Sequence, residues 1–345
     1  MNATKTIIVT GGAGYIGSHT IIELIETTSF NVISIDNYSN STKKTFDRIE
    51  LITGKKIRNY QIDICNKTEL ERVFEENTHI VGIIHFAAFK SVGESVTDPQ
   101  KYYFNNINSL LNILDCSLKY NITNFIFSSS CSVYGNIDEL PVKETTPIGK
   151  AESPYAYTKQ IGEEILKDYS KANSQLQTTA LRYFNPVGAH VSGLNGELPL
   201  NKPNNLVPII TNTAIGKIAQ MTVFGDDYPT RDGTCIRDYV HVSDIANAHI
   251  KALYLLIENK NKSNFSIFNL GSGNGVSVLE AIAAFEKISG KKLNYQIGQK
   301  RDGDVGAIYS DNSFSEKTLG WTPKYNLEDM MRSAWKWELE LSMLE

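Results

Sequence analysis

The chain of 345 residues lacks the marks of several large protein classes. Its four cysteines, Cys65, Cys116, Cys131 and Cys235, are widely spaced and form no C-x-x-C pair. That excludes a disulfide scaffold and predicts reduced thiols in a cytoplasmic, reducing compartment. There is no basic excess: 34 Lys and Arg face 38 Asp and Glu, a net charge of −4. A nucleic-acid partner wants a positive surface, so none is expected. No apolar run reaches the roughly 18 residues of a membrane span. The opening "MNATKTIIVTGG" has no charged stretch leading into an apolar one, so neither a signal peptide nor a membrane partner is expected. The six histidines show no metal-binding spacing, and no metal is expected.

What is present is an apolar content of 41%, enough for a sizeable core. At about 150 residues per domain, the length suggests two domains or one large one with an insertion. The first half alternates β-branched runs with helical patterns. "TIIVT" ends at Thr10, "NVISID" at Asp36, "IVGIIHFAA" near Ala88, "NFIFSSS" at Ser130 and "TTALRYF" at Phe184. This repetition predicts an α/β fold with a parallel sheet covered on both faces. From Asn185 the texture turns to Gly, Pro and Asn, which predicts a smaller C-terminal lobe. The expected division is 1–184 as the first domain, joined by returning segments near 238–272, with 185–237 and 273–345 as the second lobe.

In "TIIVTGGAGYIGSH", Gly11, Gly14 and Gly17 follow the first strand and open a helix. Such a turn is either simply tight or lets backbone N–H groups and a helix N-terminus receive a pyrophosphate. Asp36 closes the second strand nineteen residues after Gly17, where a carboxylate bonds a ribose 2′-hydroxyl and repels a 2′-phosphate, favouring NAD over NADP. The pattern is that of a Rossmann-type doubly wound sheet. Asp63 follows a third strand as a turn residue or as a partner for an adenine amino group. Further polar groups, Lys90 and the serines of "SSSCS", end later strands, where such sheets bind ligands.

"SPYAYTK" opens a helix: Ser153 is a good N-cap and Pro154 suits the first helical position. Tyr155 and Lys159, four apart, share a face; Tyr157 points elsewhere. A tyrosine ionises near pH 10. A neighbouring ammonium, a positive nicotinamide ring and a helix N-terminus would each lower that value. Tyr155 and Lys159 are therefore an acid–base candidate, and the serine run 25 residues upstream supplies a partner.

These segments, with "HFAAFKSVGESV", "LRYFNPVGAH", "NNLVP" and "GTCIRDYVHVSDIA" in that order, resemble the UDP-glucose 4-epimerase family of the extended short-chain dehydrogenase/reductase superfamily over nearly the whole chain. The resemblance implies an isomerase that interconverts UDP-galactose and UDP-glucose. The C4 hydride would pass to tightly bound NAD, and a 4-keto sugar would turn over in the site. It implies Tyr155 as base, Lys159 bridging the nicotinamide ribose, and Ser130 at the sugar 4-oxygen, with Ser132 as a second hydroxyl. It implies NAD contacts at Gly11, Gly14, Tyr15, Ile16, Gly17, Asp36, Asn37, Asp63, Ile64, Phe86, Ala87, Lys90, Asn105, Ser128, Tyr155, Lys159 and Tyr183. The UDP-hexose would meet Ser130, Ser132 and Tyr155 in the first domain, and Asn185, Asn205, Leu206, Phe224, Arg237, Arg301, Asp304 and Ile308 in the nucleotide-sugar lobe. It further implies a homodimer through the helical stretches 102–120 and 155–170.

Two positions depart from the family's usual pattern. Ala156, Tyr157 and Thr158 stand where Gly-Lys-Ser is common. Ile308 falls where a large tyrosine excludes N-acetylated sugars and small residues admit them, which leaves UDP-GlcNAc and UDP-GalNAc open. A nucleotide-sugar dehydratase of the same superfamily would carry an Asp-Glu pair where this chain has Cys131 and Ser132. A non-catalytic NAD-binding regulator would usually lack the tyrosine or the lysine, and both are here.

Overall fold

Each apolar run of the first half becomes a strand followed by a helix. The computed structural model describes residues 4–137, 139–200, 203–301 and 304–344. The first half runs β1 (Thr6–Thr10), α1 (Tyr15–Thr27), β2 (Asn31–Ile35), α2 (Lys44–Thr53), β3 (Arg58–Tyr60), α3 (Lys67–Glu76), β4 (Ile80–His85), α4 (Val92–Thr97), α5 (Pro99–Lys119), β5 (Asn124–Ser130), α6 (Pro154–Ala172) and β6 (Gln177–Tyr183). A single 3-10 turn, Cys131–Tyr134, follows β5. The second half adds β7 (Asn185–Val187), α7 (Leu206–Ala214), β8 (Met221–Phe224), β9 (Ile236–His241), α8 (Val242–Ile257), β10 (Phe265–Leu270), β11 (Gly275–Ser277), α9 (Val278–Ser289), β12 (Tyr295–Gly298), β13 (Ala307–Ile308), α10 (Ser313–Leu319) and α11 (Leu327–Leu344).

The expected doubly wound sheet is present. Seven parallel strands lie in the order β10-β6-β5-β4-β1-β2-β3. Strand order reverses between β1 and β4, so a crevice opens beyond their carboxyl ends. Every residue of β1 is buried, as a strand covered on both faces requires. Alternation divides its side chains: Ile7 and Val9 join Ile21, Leu24, Leu253 and Trp321 on one face. Ile8 joins Leu70, Leu110, Ile113 and Leu166 on the other.

The second half builds a separate core from Val187, Val207, Ile210, Met221, Val223, Phe285 and Met331. Strand β9, expected to return to the large sheet, instead pairs with β7, β11 and β13. The sheet edge at β6 is filled by β10, whose Phe265–Leu270 pair with Thr178–Tyr183. The return is thus made by α8 and β10. The buried Asp238 of β9 fastens this junction. Its Oδ1 accepts from the Ser272 N–H and hydroxyl, both at 2.6 Å. Its Oδ2 accepts from the Ser310 N–H at 3.0 Å and hydroxyl at 2.7 Å.

Burial holds four histidines neutral: His19 and His85 are pushed down to about 3, His241 and His249 to about 4. An unfolded histidine titrates near 6.5. Below that pH the unfolded chain binds more protons, so stability falls as pH falls towards 4. Asp244, raised to about 6 by burial, opposes this with a single proton taken up by the folded state. The urea midpoint, followed by tryptophan fluorescence, should decline as pH falls from 6.5 to 4. A midpoint that rises on acidification would contradict this.

Candidate active site

The glycine turn joins β1 to α1 with no room to spare. Gly11 has φ +69°, and a Cβ there would lie 2.8 Å from the Ala87 backbone nitrogen. A Cβ on Gly17 would collide with the Gly11 carbonyl, and one on Gly12 with the Ser34 hydroxyl and Ile21. The N-cap of α1, Gly14, makes no side-chain cap. The N–H groups of the first turn therefore point into the crevice uncapped by a side chain, as an anion requires. Asp36 braces this turn: its Oδ2 accepts from the Ala13 N–H at 2.9 Å, its Oδ1 from the Tyr38 N–H at 2.8 Å and the Ser41 hydroxyl at 2.9 Å. A bare backbone cradle with an acidic group beside it fits a dinucleotide.

The other expected cofactor residues divide in two. Phe86 and Ala87 follow β4 and are tied to Thr10, by N–H bonds of 3.1 Å to its carbonyl and 3.3 Å to its hydroxyl. Ile64 is buried, its carbonyl held by Asn112 at 3.0 Å. Asn37 and Asp63 both close turns, accepting from the Ser39 and Cys65 N–H groups at 2.9 Å. Asn105 donates to Asn106 at 3.0 Å. Tyr15 commits its hydroxyl to the Gly188 carbonyl at 2.6 Å, and Ile16 packs against the core. For these two, the backbone N–H is what the first turn of α1 offers.

Serines 128–130 end β5, and strand alternation separates them. Ser128 and Ser130 share one face; Ser129 takes the other. Helix α6 starts as its sequence dictates, with the Ser153 hydroxyl accepting from the Ala156 N–H at 3.2 Å and Pro154 in the first turn. Buried Lys159 donates to the Ser128 carbonyl at 2.6 Å and lies 5.9 Å from the Tyr155 ring centroid. Tyr183 shares a 2.7 Å hydrogen bond with His249. The buried Ser132 hydroxyl has no partner among the described residues. Tyr157, 48% exposed, meets Tyr103 edge-on at 6.3 Å.

The ionisation of the pair differs from expectation. Burial pushes Tyr155 up to about 12, with the facing Ser130 side chain working against it. Burial also pushes Lys159 down to about 7, and Glu163 opposes that. Desolvation penalises both charged forms, so it overrides the expected lowering of the tyrosine by its lysine neighbour.

In the second lobe, Arg237, Arg301 and Asp304 come together. Asp304 lies 3.6 Å from Arg237 and 2.8 Å from Arg301. Arg301 stacks 4.7 Å from the centre of the Phe224 ring. Ile308 pairs with Arg237 in register and is 8% exposed, packed with Val133, Tyr134, Val142 and Phe184. Asn185 opens β7, and Asn205 precedes the helix that Leu206 begins without giving it a side-chain cap. Asn205 and Lys90 both reach Glu197, at 2.6 and 3.4 Å. Glu197 was not anticipated; it lies in an irregular loop with no local pattern. Glu163 and Arg182 were also missed: they form a buried pair with bonds of 2.9 and 2.5 Å. An arginine inside the apolar run "TTALRYF" was the available signal for a buried partner. Among the described residues, no group of three or more metal-ligand side chains is placed to hold an ion.

A family model described as GDP-mannose 4,6 dehydratase matches residues 8–334. The UDP-glucose 4-epimerase of Pasteurella multocida is 46% identical over 332 residues, 96% of this chain and 97% of its own. A UDP-glucose 4-epimerase structure from Stenotrophomonas maltophila, with bound NAD and formylated UDP-arabinopyranose, superposes with a TM-score of 0.95 at 42% identity, covering 99% of this chain and 100% of that one. One from Bifidobacterium longum, with NAD+ and UDP, gives 0.92 at 45%, covering 97% and 98%.

The contact around Gly17 is backbone on backbone and cannot yield as a flexible side chain would. Gly17→Val should therefore lower the NAD content of the purified protein at least about tenfold, read as dinucleotide released on acid denaturation. Wild-type NAD content in a folded variant would show that the turn is not the cradle.

Proposed function

The chain belongs to the family that the GDP-mannose 4,6 dehydratase model describes and, within it, to the UDP-glucose 4-epimerases, and we propose that it interconverts UDP-galactose and UDP-glucose through a 4-keto sugar. The observation that carries the reading is the single face of α6 on which Tyr155 and Lys159 lie against the end of β5, where Lys159 holds the Ser128 carbonyl at 2.6 Å. NAD, when bound, supplies the acceptor and then the donor of the C4 hydride, together with a positive ring charge.

The chain's own residues handle the proton and the grip. Gly11, Gly14 and Gly17 would cradle the dinucleotide pyrophosphate, and Asp36 the adenosine ribose. Lys159 would hold the second ribose. Tyr155 takes the proton of the sugar 4-hydroxyl and later returns it, with Ser130 relaying at the same oxygen. Tyr155 must first overcome its burial. The Ser130 contact helps, as does its place in the first turn of α6, near the positive end of the helix. Ser132, a buried hydroxyl without a partner among the described residues, would be placed to bond the sugar. Arg237 and Arg301 would grip the UDP pyrophosphate, for which a guanidinium fork is well matched. The anchor is then the nucleotide, and the loosely held keto sugar turns to present its other face. Residues 1–184 with the return through α8 and β10, and a lobe of 185–237 and 273–345, would divide cofactor from substrate binding.

The reading extends to UDP-GlcNAc and UDP-GalNAc, because Ile308 is smaller than the tyrosine that excludes them. It also includes a homodimer. Tyr157 and Phe104, 62% exposed, present neighbouring apolar surface on α6 and α5, which a second copy would cover. Free cysteines suit a reducing cytoplasm, and no helix among the described residues is long and apolar enough to cross a membrane.

Purified protein given UDP-galactose without added NAD should form UDP-glucose; inactivity with NAD bound would refute the reading. Tyr155→Phe should lower kcat about 10²–10⁴-fold while NAD stays bound, and Tyr157→Phe should be mild. UDP-GlcNAc should be epimerised in the same assay, and Ile308→Tyr should abolish that activity alone. Light scattering should report a dimer, and Phe104→Asp should yield monomer.

A further inference from the structure

Three serines end β5, yet only two face the reacting pair. The middle one, Ser129, donates to Glu163 Oε1 at 2.5 Å. Glu163 also receives Arg182 through both carboxylate oxygens, at 2.9 and 2.5 Å. Arg182 donates onward to the Tyr134 hydroxyl at 2.9 Å, and that hydroxyl to Asn269 at 2.6 Å. Both charged side chains are almost wholly buried. Glu163 is four residues after Lys159 and eight after Tyr155, so all three lie along one face of α6.

The groups turned towards Lys159 are few. From α6 they are Tyr155 and Glu163; from β4, His85, which burial keeps neutral. From β5 they are the Ser128 carbonyl and the Phe127 ring, 4.8 Å away. Tyr183 of β6 reaches the same Ser128. Glu163 is therefore the anionic group in this set. We propose that Glu163 is a positioning residue for the reaction: clamped by Ser129 and Arg182, it seats the Tyr155–Lys159 face on the serine strand and supplies the negative charge that faces the lysine ammonium. The inference rests on the reading that Tyr155 and Lys159 carry the chemistry. A buried arginine–carboxylate pair would stabilise the fold wherever it lay; this one touches the serine strand between the two residues that face the pair. The depressed ionisation of Lys159, opposed by Glu163, has the direction that this role requires.

Three variants test it. Glu163→Gln keeps the shape but leaves Arg182 buried without a counter-charge. Glu163→Gln with Arg182→Met removes both charges and keeps the variant foldable. Each folded, NAD-containing variant should lose activity on the alkaline side earlier, with that limb of the kcat profile moved acidward by about one pH unit. The KM for UDP-galactose should stay within about twofold, because the nucleotide grip is untouched. Ser129→Ala, which deletes one oxygen, should lower kcat about tenfold and leave the limb in place, since the charge remains. A folded double variant with the wild-type profile, or Ser129→Ala with wild-type kcat, overturns the proposal. If instead Tyr155→Phe is fully active in the same assay, the underlying reading has failed rather than this inference.

Discussion

The ion pair between Glu163 and Arg182 welds the long helix α6 to the strands beneath it. Removing two charges from water is expensive, and a buried pair is worth little unless its remaining hydrogen-bonding capacity is met. Here it is met: Ser129, Tyr134 and Asn269 complete the network. The return lies in registry. A helix resting on apolar contacts alone has several nearly equivalent seats, whereas a bidentate fork has one. The end of β5 and the first two turns of α6 are thereby indexed to each other.

That indexing matters because desolvation governs the ionisation of the pair at this junction. Desolvation pushes Tyr155 and Lys159 towards their neutral forms from opposite directions. The ionisation of a phenol driven up beside an amine driven down is sensitive to every nearby charge. The bare chain is not poised for proton removal. It would become so as positive charge was added beside the tyrosine, a condition that NAD bound as proposed would satisfy and that water would dilute.

How much of this was legible in the sequence depended on how local each signal was. The glycine turn and Asp36 could be read because strand, turn and helix follow one another within thirty residues. Tyr155 and Lys159 could be singled out because helical periodicity alone puts them on one face. Arg237, Arg301 and Asp304 came from family resemblance, since no spacing joins residue 237 to residue 301. Glu163 with Arg182, and Glu197 with Lys90, are pairings across folded distance that no pattern announces. Strand β9 was misjudged for a related reason. Its alternation says strand, but only tertiary packing says which sheet. The direction of the Tyr155 shift was missed because burial is a property of the fold, not of a helical wheel.

The Asp238 knot has a consequence for how the pocket moves. It binds β9, the loop after β10 and the strand of Ile308 through one carboxylate, and it sits one residue beyond Arg237. The wall that carries Arg237 and Ile308 is thus tied to the end of the large sheet rather than hung as a flap on a hinge. On the proposed reading, a hexose that turned over between two transfers without escaping would need a chamber of constant bore, and a rigid wall would provide it.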